Sequence, residues 1–135
     1  MVSNSKIIVI IVIVAIAAIA VWYLSFYTAY RETGPIVPPN VEPTGNVVEL
    51  TVHGENFKFD RETITVNKGD TVKITFISDD SAHNICVEGY GCSETVSGGG
   101  SDLLEFVAGE SGTLKFYCSV DGHRVFGMEG DFVIQ

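Results

Sequence analysis

Two hydrophobic patterns share this chain. Over residues 7–26 the apolar positions are nearly continuous, rich in Ile, Val and Ala and free of charge, which predicts a helix long enough to cross a bilayer. From residue 46 onward apolar and polar residues alternate, the period of half-buried strands. Val48, Leu50 and Val52 share one face, and Glu49, Thr51 and His53 the other; Ile64 and Val66 repeat the pattern, as do Val72, Ile74 and Phe76 against Thr71, Lys73 and Thr75. Leu114, Phe116 and Cys118 alternate with Lys115 and Tyr117, so the Cys118 thiol is expected to point inward with the core residues before it. Phe132 and Ile134 predict a last short strand. Asn67-Lys68-Gly69-Asp70 reads as a turn, and the glycine-rich run 98–102 as a second, more flexible connection. Seven or so short strands without a helix predict an all-β, antiparallel two-sheet sandwich or barrel.

These patterns divide the chain into a cytoplasmic stub (1–6), a transmembrane anchor (7–26), a linker (27–45) and one folded domain (46–135). Trp22, Tyr23, Phe26, Tyr27 and Tyr30 cluster where an anchor meets the headgroups, and Lys6 flanks its other end. That arrangement favours an inside amino terminus and an extracytoplasmic, periplasmic or extracellular, domain. A cleaved signal ending near Ala18-Ile19-Ala20 is the competing reading, although the apolar run continues to Leu24. All four prolines, at 35, 38, 39 and 43, fall in the linker, which is expected to act as a semi-rigid spacer rather than a packed element.

Residues 46–135 hold 6 Lys and Arg against 15 Asp and Glu, so the net charge of -9 falls on the folded domain. Nucleic acid is excluded as a partner by sign. The acidic surface serves solubility, or steers the domain toward a basic redox partner. There is no phosphate-cradling glycine loop and no nucleophile-elbow motif.

The chemistry is concentrated in the run 116–130, FYCSVDGHRVFGMEG. Its spacing C-x4-H-x4-M presents a thiol, an imidazole and a thioether, three of the donors a mononuclear copper site uses; copper alternating between two oxidation states takes a thiolate and imidazoles near a trigonal plane and a weak axial thioether. Cys118, His123 and Met128 are those donors, and a second imidazole must come from His53 or His83. His53 shares the polar strand face with Glu49 and Thr51, whereas His83 follows the turn-forming Ser78-Asp79-Asp80-Ser81 at the mouth of a strand. His83 is therefore the expected fourth ligand. Cys86 and Cys92 remain, and in an exported domain they are expected to form a disulfide around a short glycine-containing loop.

With His83-Asn84, the run from Phe116 to His123 and Gly127-Met128-Glu129-Gly130 in view, residues 47–135 resemble the cupredoxins, the blue copper proteins. The two four-residue gaps are similar to the longer ligand loops of rusticyanin, auracyanin and sulfocyanin. The chain is also similar to the copper domain of cytochrome oxidase subunit II, but that binuclear site needs a second cysteine where this chain has Gly122. The resemblance implies a Greek-key β-sandwich with one type 1 copper held by His83, Cys118, His123 and Met128. It also implies that Asn84 ties the ligand loops together and that His123 serves as the electron port within an apolar patch including Val125 and Phe126. Many relatives carry a proline directly before Gly122; here Asp121 stands there, which removes one source of loop rigidity. The function implied is not enzymatic: a membrane-anchored carrier of single electrons between redox proteins, such as a cytochrome and a terminal oxidase. A copper-binding or structural accessory subunit of a membrane oxidase or oxygenase is the alternative.

Overall fold

A computed structural model of the chain describes residues 14–25, Pro38 and 41–135. Residues 14–25 are helical with exposed side chains. Among the described residues no helix is long and apolar enough to cross a membrane. The expected anchor over 7–26 begins and ends outside the described residues, and the stub 1–6 and most of the linker also lie outside them. The helical stretch and the β domain are separate compact units.

The domain is built from nine strands: β1 (Val47–Glu55), β2 (Lys58–Phe59), β3 (Thr63–Val66), β4 (Thr71–Ser78), β5 (Cys86–Val87), β6 (Gly91–Cys92), β7 (Ser101–Val107), β8 (Gly112–Tyr117) and β9 (Glu129–Ile134). One sheet has the order β2-β1-β4-β7 and the other β3-β9-β8-β5-β6. Alternation places Val52, Val72, Ile74, Phe76, Leu104 and Phe106 of the first sheet against Ile64, Val87, Phe116, Phe132 and Ile134 of the second. Burial of these side chains is the main favourable contribution to folding, about 1.5–3 kcal/mol for each large one. The predicted strand faces are those observed, and Cys118 is buried as its parity required.

The expectation of a purely antiparallel sandwich is corrected. β1 runs parallel to β4, and β3 runs parallel to β9. The reason lies in the path of the chain: after β1 and β2 it crosses to the opposite sheet for β3 and returns for β4, and such a crossover brings a strand back in the same direction. A period of two reveals which face a residue occupies and says nothing of strand direction. The run 98–102 is also less free than expected, because Ser101 and Asp102 already belong to β7.

The end of the linker is packed rather than free. Val41 is buried, the Thr44 N–H donates to the Gly69 carbonyl at 2.9 Å, and Pro38 lies against Gly109. Thr44 joins a cluster around Asp70, whose side chain is buried in the β3–β4 turn. That carboxylate accepts from the Asn67 N–H at 2.9 Å, from the Asn67 amide at 3.2 Å, from the Asn46 amide at 3.4 Å and from the Thr44 hydroxyl at 3.3 Å. The Asn67 backbone bond, with the side-chain donors, holds the Asp70 carboxyl below its ordinary value of 3.8. A depressed folded-state value stabilises the fold above the ordinary value, and the contribution is lost as pH falls through the folded-state value. Asp70→Asn is therefore expected to lower the urea midpoint at neutral pH. The difference from wild type should disappear as the pH is lowered below about 3.8, as denaturation curves at several pH values will show.

Candidate metal centre

The site forms at one end of the sandwich, where β8 runs out and the chain loops back to β9. The loop is closed by backbone bonds: the Cys118 N–H donates to the Met128 carbonyl at 3.0 Å, and the Met128 N–H to the His123 carbonyl at 3.0 Å. Gly122 and Gly127 take positive φ of 81° and 96°, turning the chain where a side chain would strain it. On the facing connection between β4 and β5, His83 is held by a reciprocal backbone pair with Val96, 2.9 Å each way. Asn84 joins the two segments: its amide donates to the Ser119 hydroxyl at 2.8 Å, and its carbonyl oxygen accepts from the Ser119 N–H at 2.8 Å.

Three donor atoms converge as a result. His83 Nδ1 and His123 Nδ1 are 3.0 Å apart, and Cys118 Sγ lies 3.9 Å from the first and 3.4 Å from the second. Ligands of one small metal ion, each bonded at about 2.0–2.3 Å, stand roughly 3–4 Å from one another. Among the described residues this is the one His/Cys/Asp/Glu cluster with such spacing. Met128 is fully buried beside it, with its methyl end near Gly54, where an added Cβ would come within 2.9 Å of that methyl and of the Phe76 ring. His53 is not part of the cluster; its Nδ1 pairs with Asp79 at 2.9 Å in a partly exposed position.

The protonation states also suit a metal. Asp80 Oδ1 lies 2.8 Å from His83 Nε2. Backbone N–H groups of Asn56 and Ser81, and then His83, hold the Asp80 carboxyl down to about 2, so at neutral pH it only accepts. His83 Nε2 is thus the nitrogen placed to donate to that carboxylate, and Nδ1 is the one that faces the cluster. Burial, and then the neighbouring His83, hold His123 below the ordinary imidazole value, keeping it neutral and able to ligate. Two imidazole nitrogens and a thiol, gathered before any ion arrives, form a soft donor set that suits copper.

A family model for copper binding proteins, the plastocyanin/azurin family, matches residues 46–135. The chain belongs to the plastocyanin/azurin family. Solved structures share the fold of this cupredoxin. Auracyanin from the photosynthetic bacterium Roseiflexus castenholzii is 22% identical, with a TM-score of 0.60 over 67% of this chain and 99% of that one. Auracyanin A, a "blue" copper protein from Chloroflexus aurantiacus, is also 22% identical, with a TM-score of 0.60 over 67% of this chain and 100% of that one. A chain of a heme-copper terminal oxidase dimer is 16% identical, with a TM-score of 0.62 over 98% of this chain and 100% of that one. No curated protein sequence matches the chain. The cofactor of this cupredoxin is one copper ion of type 1, and its chemistry is electron transfer.

The structure brings together His83, Cys118 and His123, buries Met128 on the same loop, and joins Cys86 to Cys92 in a disulfide. It also places residues at the site that alternation gave no reason to select. Phe57, with Asn56, forms the two-residue β1–β2 turn at φ of 58° and 50°, a conformation that is unusual for a bulky side chain. Its ring meets His123 edge to face at 4.8 Å and Phe126 at 5.3 Å. Arg124 is a further tie on the ligand loop. It bonds Glu129 at 2.8 Å and Glu88 at 2.9 Å and lies over the Tyr117 ring at 4.2 Å, fastening the loop to the strands. Asn84→Ala removes both bonds between the ligand segments. It is expected to destabilise the metal-free protein by about 1–3 kcal/mol, measurable by chemical denaturation.

Proposed function

We propose that the chain is a membrane-anchored type 1 copper protein carrying single electrons between redox partners on the extracytoplasmic face, with His83, Cys118, His123 and Met128 as the ligands. The observation that carries this reading is the convergence of two imidazole Nδ1 atoms and one thiol within 4.8 Å at a buried strand end. Copper bound there supplies a one-electron couple. The chain supplies the rest. Cys118 and Met128 are fully buried, which keeps water from the soft donors. The bonds of Asn84 and the closure of the loop hold the donors in place, so little of the protein has to move when charge changes.

His123 is the exit for the electron. It is partly exposed and lies against Phe57, which is 42% exposed, with Phe126 at 70% and Val125 at 88% nearby on the same loop. An apolar rim of this kind excludes water from a transient contact. No catalytic acid or base is needed for such a role, and three histidines in the whole chain are too few for a multicopper centre. Residues 7–26 would anchor the domain: they carry no charge, and their described part is helical. We read the strand connectivity as Greek-key, in keeping with the crossing of the chain between sheets at β3.

A second reading is favoured by one observation. A chain of a heme-copper terminal oxidase dimer corresponds in length to this chain almost end to end, which suits a copper-carrying or structural subunit of such an oxidase. Copurification of the full-length chain from membranes decides between them. A free carrier elutes alone, and a subunit elutes with a larger haem-containing complex. For both carrier and copper subunit, adding Cu(II) to the purified protein is expected to give an intense blue colour that Cys118→Ser abolishes. A wild-type protein that binds Cu(II) without colour rejects the type 1 assignment.

A further inference from the structure

One carboxylate outside the ligand set touches the site in two ways. Asp80 Oδ1 lies 2.8 Å from His83 Nε2 and accepts the Ser81 N–H at 2.6 Å; Asp80 Oδ2 accepts the Asn56 N–H at 2.9 Å. The Ser81 hydroxyl also lies 3.1 Å from His83 Nε2. The imidazole is fully buried while the Asp80 side chain keeps 38% of its surface in solvent. A formal negative charge thus bears directly on the far nitrogen of a buried ligand.

We propose that Asp80 is the positioning residue of the copper site: its carboxylate fixes the His83 tautomer and strengthens His83 as a donor, favouring Cu(II) over Cu(I) and lowering the reduction potential. The inference rests on His83 being a copper ligand. The physical reason is that a hydrogen bond from Nε2–H to an anion shifts electron density toward Nδ1, and a more basic nitrogen binds the more highly charged ion better. Partners of this kind typically contribute about 10–100-fold to metal affinity. The Oδ2 bond gives the same carboxylate a second role. By holding the Asn56 N–H it also supports the turn that carries Phe57 over His123, so both imidazoles depend on it.

The test compares wild type with Asp80→Asn and Asp80→Ala. Asp80→Asn keeps an acceptor oxygen for His83 but removes the charge and the second acceptor used by the Asn56 N–H, and Asp80→Ala removes all three. In the metal-free protein, nitrogen-15 NMR is expected to show His83 with its proton on Nε2 in wild type and Asp80→Asn, and a mixture of tautomers in Asp80→Ala. With copper bound, the preference for Cu(II) over Cu(I) is expected to fall about tenfold in Asp80→Asn, a rise in potential of about 59 mV for one electron, and further in Asp80→Ala. Should Asp80→Ala fail to fold, Asp80→Asn decides the matter, because it retains an acceptor for His83 in a side chain of the same shape. A blue Asp80→Asn protein with the wild-type potential overturns the inference and leaves the copper reading intact. Wild-type His83 protonated on Nδ1 in the metal-free protein also overturns it. A wild-type protein that gives no blue species with Cu(II) overturns both.

Discussion

Everything at the copper end of this domain depends on two segments, distant in sequence, being held face to face. Asn84 supplies that constraint. Its side chain reads both the N–H and the hydroxyl of Ser119, at 2.8 Å each, and so sets the distance between His83 on one connection and Cys118 on the other. Because Asn84 is buried, an amide left without these partners is costly, which makes the paired arrangement strongly preferred. The ladder adds to the same end: Cys86, bonded by its disulfide to Cys92 of β6, pairs on its other side with Tyr117 of β8. The strand that follows His83 is therefore tied to the strand that precedes Cys118.

The packing beneath the site shows why the donors have so little freedom. Gly130 of β9 lies opposite Phe116 of β8, and a side chain at 130 would collide with the Phe116 ring and with the Glu62 carbonyl. That close approach lets the two strands bracket the ligand loop tightly. Gly54 does the equivalent from the other sheet, leaving room for the Met128 methyl against Phe76. Both glycines are required by what lies next to them, and Gly54 and Gly130 themselves are not in a left-handed conformation.

Much of this arrangement is legible in the order of residues alone. The period of two assigns the strand faces and turns Cys118 inward, and the spacing of Cys118, His123 and Met128 carries the chemistry of the site. The solvated face of β1 removes His53 from the ligand set, in agreement with its pairing to Asp79. What is not legible shares a physical cause: it depends on which strands become neighbours. Parallel pairing of β1 with β4 and of β3 with β9 leaves no trace in alternation. Phe57 looks like any residue of a polar turn, since Glu55-Asn56-Phe57-Lys58 lacks the glycine that usually marks a tight hairpin. Asp80 looks like one of several turn-forming residues, and its contact with the site arises only when the turn folds over His83. The packing of Val41 and Thr44 is hidden by the prolines around them, which suggest a spacer.

The domain also resolves a conflict between its surface and its site. A net charge of -9 keeps the domain soluble and repels copies of itself, yet an electron leaves efficiently only through a dry contact. With His123 proposed as the exit, the two requirements meet at one end of the domain. Phe57 and Phe126 lie against each other beside His123, and Val125 is exposed on the same loop, while four carboxylates near the site are engaged. Asp80 is bonded to His83 and Asn56, Asp79 to His53, and Glu88 and Glu129 to Arg124. Carboxylates fixed in such bonds are less free to compete for the metal than solvated ones, and they are pre-oriented at no further entropic cost. The same bonds that fasten the loop thus fix these four carboxylates in place, while Asp121 of the ligand loop stays exposed.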